Sequence, residues 1–103
     1  MQLKPGVRVR GMRAELAVAM LVANSVCDEM GIACTVTSCT EGKHSATSLH
    51  YAGAAFDLRT RHLSEVQARQ LRDTLAAGLG TADFDVVLEA RHIHVEYQPK
   101  GEA

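Results

Sequence analysis

The chain has no tryptophan, two tyrosines, two phenylalanines and two prolines, and neither sign of charge dominates. With aromatics at 4% there is no platform on which successive bases could stack. A formal net charge of −1 gives no strong field toward nucleic acid or an anionic membrane surface. Long apolar runs are also missing. The longest, residues 16–26, falls well short of the roughly 20 residues a bilayer span requires, so no membrane insertion is expected. The three cysteines, Cys27, Cys34 and Cys39, are odd in number and contain no CxxC pair. That does not suggest a disulfide framework and reads as buried or idle thiols, with Cys34 and Cys39 as metal ligands a lesser alternative. Free thiols fit synthesis in a reducing compartment. Basic residues open the chain (Lys4, Arg8, Arg10, Arg13), but Glu15 breaks the apolar run after them and no cleavage site is visible. The expectation is a protein made in the cytoplasm without a secretory leader, and delivered by other means if its substrate lies outside the cytoplasm.

What is present is the balance of a globular domain, 47% hydrophobic and 22% charged over 103 residues. That length supports one core, so residues 1–103 read as a single domain with 1–10 as an N-terminal arm turned at Pro5-Gly6. Leu16, Ala19, Met20, Ala23, Cys27 and Met30 recur at helical spacing, predicting a helix over 13–30 that ends at Gly31. Residues 32–37 read as a strand, 38–46 as a loop and 54–59 as a second strand. Ser64-Glu-Val-Gln67 matches a capping box and starts a second helix, which Gly78 or Gly80 ends. Residues 84–88 and 92–97 read as two strands joined by a tight turn. The fold class is α+β: a largely antiparallel sheet of about four strands backed by two main helices.

Chemistry-bearing residues gather in two segments. Ser48-Leu-His50-Tyr-Ala-Gly53-Ala-Ala55-Phe-Asp57 places an imidazole and a carboxylate seven residues apart, with small residues between them. Glu89-Ala-Arg-His92-Ile-His94 adds two imidazoles and a carboxylate. In the last strand His92, His94 and Glu96 share one face, while Ile93, Val95 and Tyr97 take the other. Taken singly, each residue has an ordinary reading. Asp57 would face solvent or pair with Arg59 or Arg61, Glu89 would be a solvated charge, His50 a satisfied surface or core histidine, and His44 and His62 ordinary loop residues. Taken together they make the ligand set of a catalytic zinc site: three protein ligands, an open position and a carboxylate base. Gly53 and Ala55 suit a close approach of backbone to that site, and Ser48 suits a side-chain bond fixing its loop.

Ser48-x-His50-x-x-Gly53-x-Ala55-x-Asp57 resembles the SxHxxGxAxD signature of the D-alanyl-D-alanine carboxypeptidase family of zinc peptidases. That family belongs to the group that also holds lysostaphin-type enzymes and the hedgehog signalling domain. His44-Ser45-x-x-Ser48-Leu49-His50-Tyr51 extends the likeness toward hedgehog, and the segment from Phe84 to His94 is similar to the second hedgehog motif. Short phage-encoded peptidoglycan peptidases share this compact pattern. The resemblance implies one zinc ion held by His50, Asp57 and His94. It makes Glu89 the general base that takes a proton from the zinc-bound water, and gives His92 a place beside the oxyanion. Lys43, His44, Ser48 and Arg59 are the substrate-binding candidates. Two departures leave alternatives open. Residues 38–43 carry no arginine where many members bind a substrate carboxylate, which leaves exopeptidase and endopeptidase specificity undecided. The spacing of five from Glu89 to His94 keeps His92 as a competing ligand, and a set of His50, His92 and His94 without Asp57 as a further one.

The resemblance implies a monomeric zinc peptidase acting on peptidoglycan stem peptides, as a D-Ala-D-Ala carboxypeptidase or an L-Ala-D-Glu-type endopeptidase. A phage or prophage lytic role would fit the short chain. The alternative is a non-catalytic, hedgehog-like zinc module that binds a protein or glycan partner. A metal-free structural protein is the third reading.

Overall fold

The computed structural model describes residues 1–41 and 53–99. In chain order it comprises β1 (Gln2–Leu3), α1 (Ala14–Met30), β2 (Thr35–Ser38), β3 (Ala55–Arg59), α2 (Glu65–Leu79), β4 (Phe84–Leu88) and β5 (His92–Tyr97). The strands form one sheet in the order β1-β2-β3-β5-β4, antiparallel throughout except for the parallel pair β1–β2. The α+β class expected from the sequence is the observed one. The sheet has five strands instead of about four and is mixed, because part of the N-terminal arm pairs with β2.

Each element follows from its residues. Gly31 closes α1 in the left-handed conformation, φ 69°, which costs glycine little. Its N–H donates to the Asp28 carbonyl, and that of Ile32 to the Cys27 carbonyl. This is the paired closure of a Schellman motif. It spends Ile32 on ending the helix, which is why β2 starts at Thr35 and not at Ile32 as the β-branched run suggests. The capping box is formed as predicted: Gln67 N–H donates to Ser64 Oγ, and Ser64 N–H to Gln67 Oε1. Gly80 ends α2. The strands β4 and β5 match their predicted bounds.

Alternation sorts the sheet into two faces. Phe56, Leu58, Ile93 and Val95 are fully or almost fully buried against Leu16, Ala19 and Ala23 of α1 and Leu71 and Leu75 of α2. Burying each large apolar side chain is worth about 1.5–3 kcal/mol, so this face holds the two layers together. Cys27, Cys34 and Cys39 are buried, as expected of idle thiols. Burial, with the charge of Glu41 nearby, pushes the Cys39 thiol up to about 11. The Cys27 thiol is raised by its hydrogen bond with Cys34 and by burial. No described helix covers the opposite face, which carries Asp57, Arg59, His92, His94 and Glu96. Among the described residues no helix is long and apolar enough to cross a membrane.

The arm is tied along the sheet edge. Gln2 N–H donates to the Cys34 carbonyl and Lys4 N–H to the Val36 carbonyl. Glu41 clasps it further on, accepting from the N–H groups of Arg8 (3.1 Å) and Cys39 (2.8 Å). Partial burial opposes ionisation of Glu41, but these bonds outweigh it and hold the carboxyl below its usual range.

Candidate metal and catalytic site

The pairing of β3 with β5 builds the site. Its register sets Asp57 opposite His94, Arg59 opposite His92 and Ala55 opposite Glu96. Directly opposed side chains on one face lie about 4.5–5.5 Å apart at Cβ, so the polar groups meet across the strands. His94 Nδ1 lies 2.9 Å from Asp57 Oδ1, and His94 Nε2 lies 3.1 Å from Glu96 Oε1. His92 Nε2 stands 3.8 Å from the same Asp57 oxygen and 3.5 Å from Glu89 Oε1. Carboxylates and imidazoles therefore alternate along one line: Glu89, His92, Asp57, His94, Glu96. Side-chain exposure falls from 48% at Glu89 to 33% at His92 and 16–19% at Asp57, His94 and Glu96. The inner three are sheltered, and the outer two are more exposed.

A β-bulge helps aim this face. Val36 pairs with Leu58 but Ser38 pairs with Asp57, so β2 carries one extra residue, Thr37, at this point. Glu89 follows β4 directly, and its backbone N–H donates to the His92 carbonyl at 2.8 Å, closing the hairpin turn. That bond fixes the spacing between the candidate base and the histidine beside it.

His94 has a carboxylate on each ring nitrogen. Its hydrogen bond to Asp57 raises its pKa most; burial opposes, and the negative charges of Asp57 and Glu96 reinforce the rise. The same two partners suit metal binding. Two donors on one tetrahedral zinc ion, each about 2.0–2.2 Å from it, stand roughly 3.3 Å apart, and the Asp57–His94 pair needs only slight widening to reach that. Glu96 then occupies the outer-shell position in which a carboxylate orients a ligating imidazole. Asp57 and His94 thus fit a shared zinc ion. Among the described residues no three such side chains are arranged to hold a metal.

His50, the expected third ligand, lies outside the described residues, as do Lys43, His44 and Ser48. Asp57 meets His92 and His94, whereas the simplest reading of the sequence pairs it with Arg59 or Arg61. Gly53 does make a close backbone approach, but to a different partner. Its φ is +73°, and a Cβ there would collide with the Gly11 carbonyl oxygen. Arg13 N–H also donates to the Gly53 carbonyl. The glycine admits the backbone of Gly11 and Met12, just beyond the arm. Sequence reasoning places Glu96 on the correct face but gives it no role. Its signal is the alternation His92-x-His94-x-Glu96.

Arg59 lines a cleft of about 160 Å³ with Lys4, Thr37, Arg61, Arg91 and His92. A larger hollow of about 530 Å³ lies between the start of α2 and the β4–β5 turn, reached by Arg61, Ser64, Arg69, Leu88 and Glu89. Glu89 and His92 thus each border a concavity, and Arg61 borders both.

No family model matches the chain, and no curated protein matches it at a significant level.

Proposed function

We propose that the chain is a zinc-dependent peptidase acting on peptidoglycan stem peptides, with Asp57 and His94 as two of its metal ligands and His50 as the third. The observation that carries this reading is the convergence of Asp57, His92 and His94 beside Glu89 on the sheet face left open by the helices. A structural ion-pair network would account for Asp57, His94 and Glu96. It gives no reason for a second imidazole and a more exposed carboxylate to continue the same line toward two concavities.

The roles follow from position. Bound zinc supplies Lewis acidity toward a peptide carbonyl and lowers the pKa of water toward about 7. Asp57 and His94, sheltered and opposed in register, hold the metal, and Glu96 fixes the ring of His94. Glu89, the most exposed carboxylate of the line, accepts the proton from the attacking water. His92, 3.5 Å from Glu89 Oε1, donates to the oxygen that gains negative charge as the carbonyl is attacked. Glu89, once protonated, returns that proton to the leaving amine as the C–N bond breaks. Action at the cell wall, in a lytic role, belongs to the same reading.

Mass spectrometry of muropeptides incubated with zinc-loaded protein, with and without a chelator, tests the reading. Chelator-sensitive loss of one or more stem-peptide bonds is expected. Stoichiometric zinc with no cleavage of any muropeptide would instead favour the non-catalytic, partner-binding module.

A further inference from the structure

Four of the eleven Lys and Arg residues of this nearly neutral chain line one small cleft. Lys4 comes from the arm after β1, Arg59 from the end of β3, Arg61 from the turn beyond it, and Arg91 from the β4–β5 turn. No aspartate or glutamate among the described residues lines this cleft. Among the described residues none of the four forms an ion pair or a side-chain hydrogen bond. Arg69 and Arg72 elsewhere do, with Glu65 and Asp73. Gathering four like charges with no counter-charge among the described residues works against folding, and a bound anion offsets that cost. Three guanidinium groups also offer forked donors that match the two oxygens of a carboxylate.

The architecture holds this cluster together. The Thr60 N–H donates to the Arg91 carbonyl at 3.0 Å, joining the end of β3 to the β4–β5 turn. The Lys4 N–H bond to the Val36 carbonyl fixes the arm on the far side. His92 borders the cleft, and Arg59 is its cross-strand neighbour.

We infer that Lys4, Arg59, Arg61 and Arg91 form an anion subsite that takes a carboxylate of a peptide ligand. The inference builds on the proposed peptidase reading, since it places this carboxylate along the substrate. The Arg59–His92 row lies two residues along the strands from the Asp57–His94 row, roughly 7 Å away. Extended peptide covers about 3.3–3.6 Å per residue. The carboxylate therefore sits about two residues from the bond to be cut. It is either the chain terminus of the peptide or an acidic side chain within it.

Amide shifts of the zinc-loaded protein, titrated at low ionic strength, test this without any turnover. N-acetyl-D-alanine stands for a chain-terminal carboxylate and glutaramate for an acidic side chain, each compared with its neutral amide, with inorganic phosphate as a further probe. Saturable shifts at Thr37, Arg59, Arg61 and Arg91, at least about tenfold tighter for an acid than for its amide, are expected, and the tighter acid names the source. Arg59→Ala and Arg91→Ala should each weaken that binding about tenfold or more, and Arg59→Lys should recover part of it. Arg91 and Lys4 are exposed, so Arg91→Ala and Lys4→Ala decide the matter if Arg59→Ala does not fold. Neutral amides binding as well as the acids, phosphate binding more tightly than either, or folded variants binding like the parent would each overturn the subsite. Acid binding in a protein that cleaves no muropeptide would refute the peptidase reading and leave the subsite standing.

Discussion

His94 gathers most of the local information at the scale of single residues. It faces Asp57 through one ring nitrogen and Glu96 through the other. If it is a zinc ligand, Glu96 orients it, and Glu96→Gln should lower zinc affinity about 10–100-fold while the protein still folds. A competition titration against a chromophoric chelator measures this, and unchanged affinity would remove Glu96 from the site. That His92, His94 and Glu96 share a face was legible from alternation alone. That Asp57 meets His94 was not, and was expected only through the family resemblance, which assigns both to one zinc ion. Their contact depends on the register of β3 against β5, strands separated in sequence by α2 and β4, and nothing in either segment specifies that register. Glu41 shows the reverse limit. It lies in the stretch where the resemblance led one to look for a substrate-binding arginine, and instead it clasps the arm through two backbone N–H groups.

Elements decide how firmly the site is held. β5 presents His92, His94 and Glu96 outward only because Ile93 and Val95 are fully buried inward. Ile93→Ala should cost about 2–5 kcal/mol in denaturant unfolding, and should loosen zinc binding although Ile93 touches no metal. A loss well under about 1 kcal/mol would contradict the role of Ile93 as the anchor of β5. The clasp of the arm has a pH signature. The Glu41 carboxyl is held below its usual range in the folded state, so its contribution is fully present above the unfolded value, about pH 4.3. It is lost as pH falls through the lower, folded value. Glu41→Gln should therefore flatten the acid side of the melting-temperature profile, and an unchanged profile would show that the clasp adds no stability. The capping box, the α1 terminus and the final hairpin were readable because short, local patterns dictate them. The pairing of the arm with β2 and the extra residue at Thr37 were not, since both depend on how distant strands meet.

The molecule as a whole is a two-layer domain that packs one sheet face into its core and carries its cluster of acids and imidazoles on the other. The class was legible from the order of helical and strand periods. The mixed sheet was not, because a two-residue strand has no period to read. The open face joins a line of acids and imidazoles to a cluster of cations that has no acidic partner among the described residues. The proposed function rests on the first of these, the line of acids and imidazoles. Its sharpest test is the rate of muropeptide cleavage by Glu89→Gln, compared with the parent at equal zinc occupancy. Glu89 lies outside the sheltered ligand group, so the variant should keep its metal and its fold. With Glu89 as the base, the rate should fall about 10²–10⁴-fold. Cleavage within about twofold of the parent, far inside the range that general-base catalysis supplies, would contradict that role.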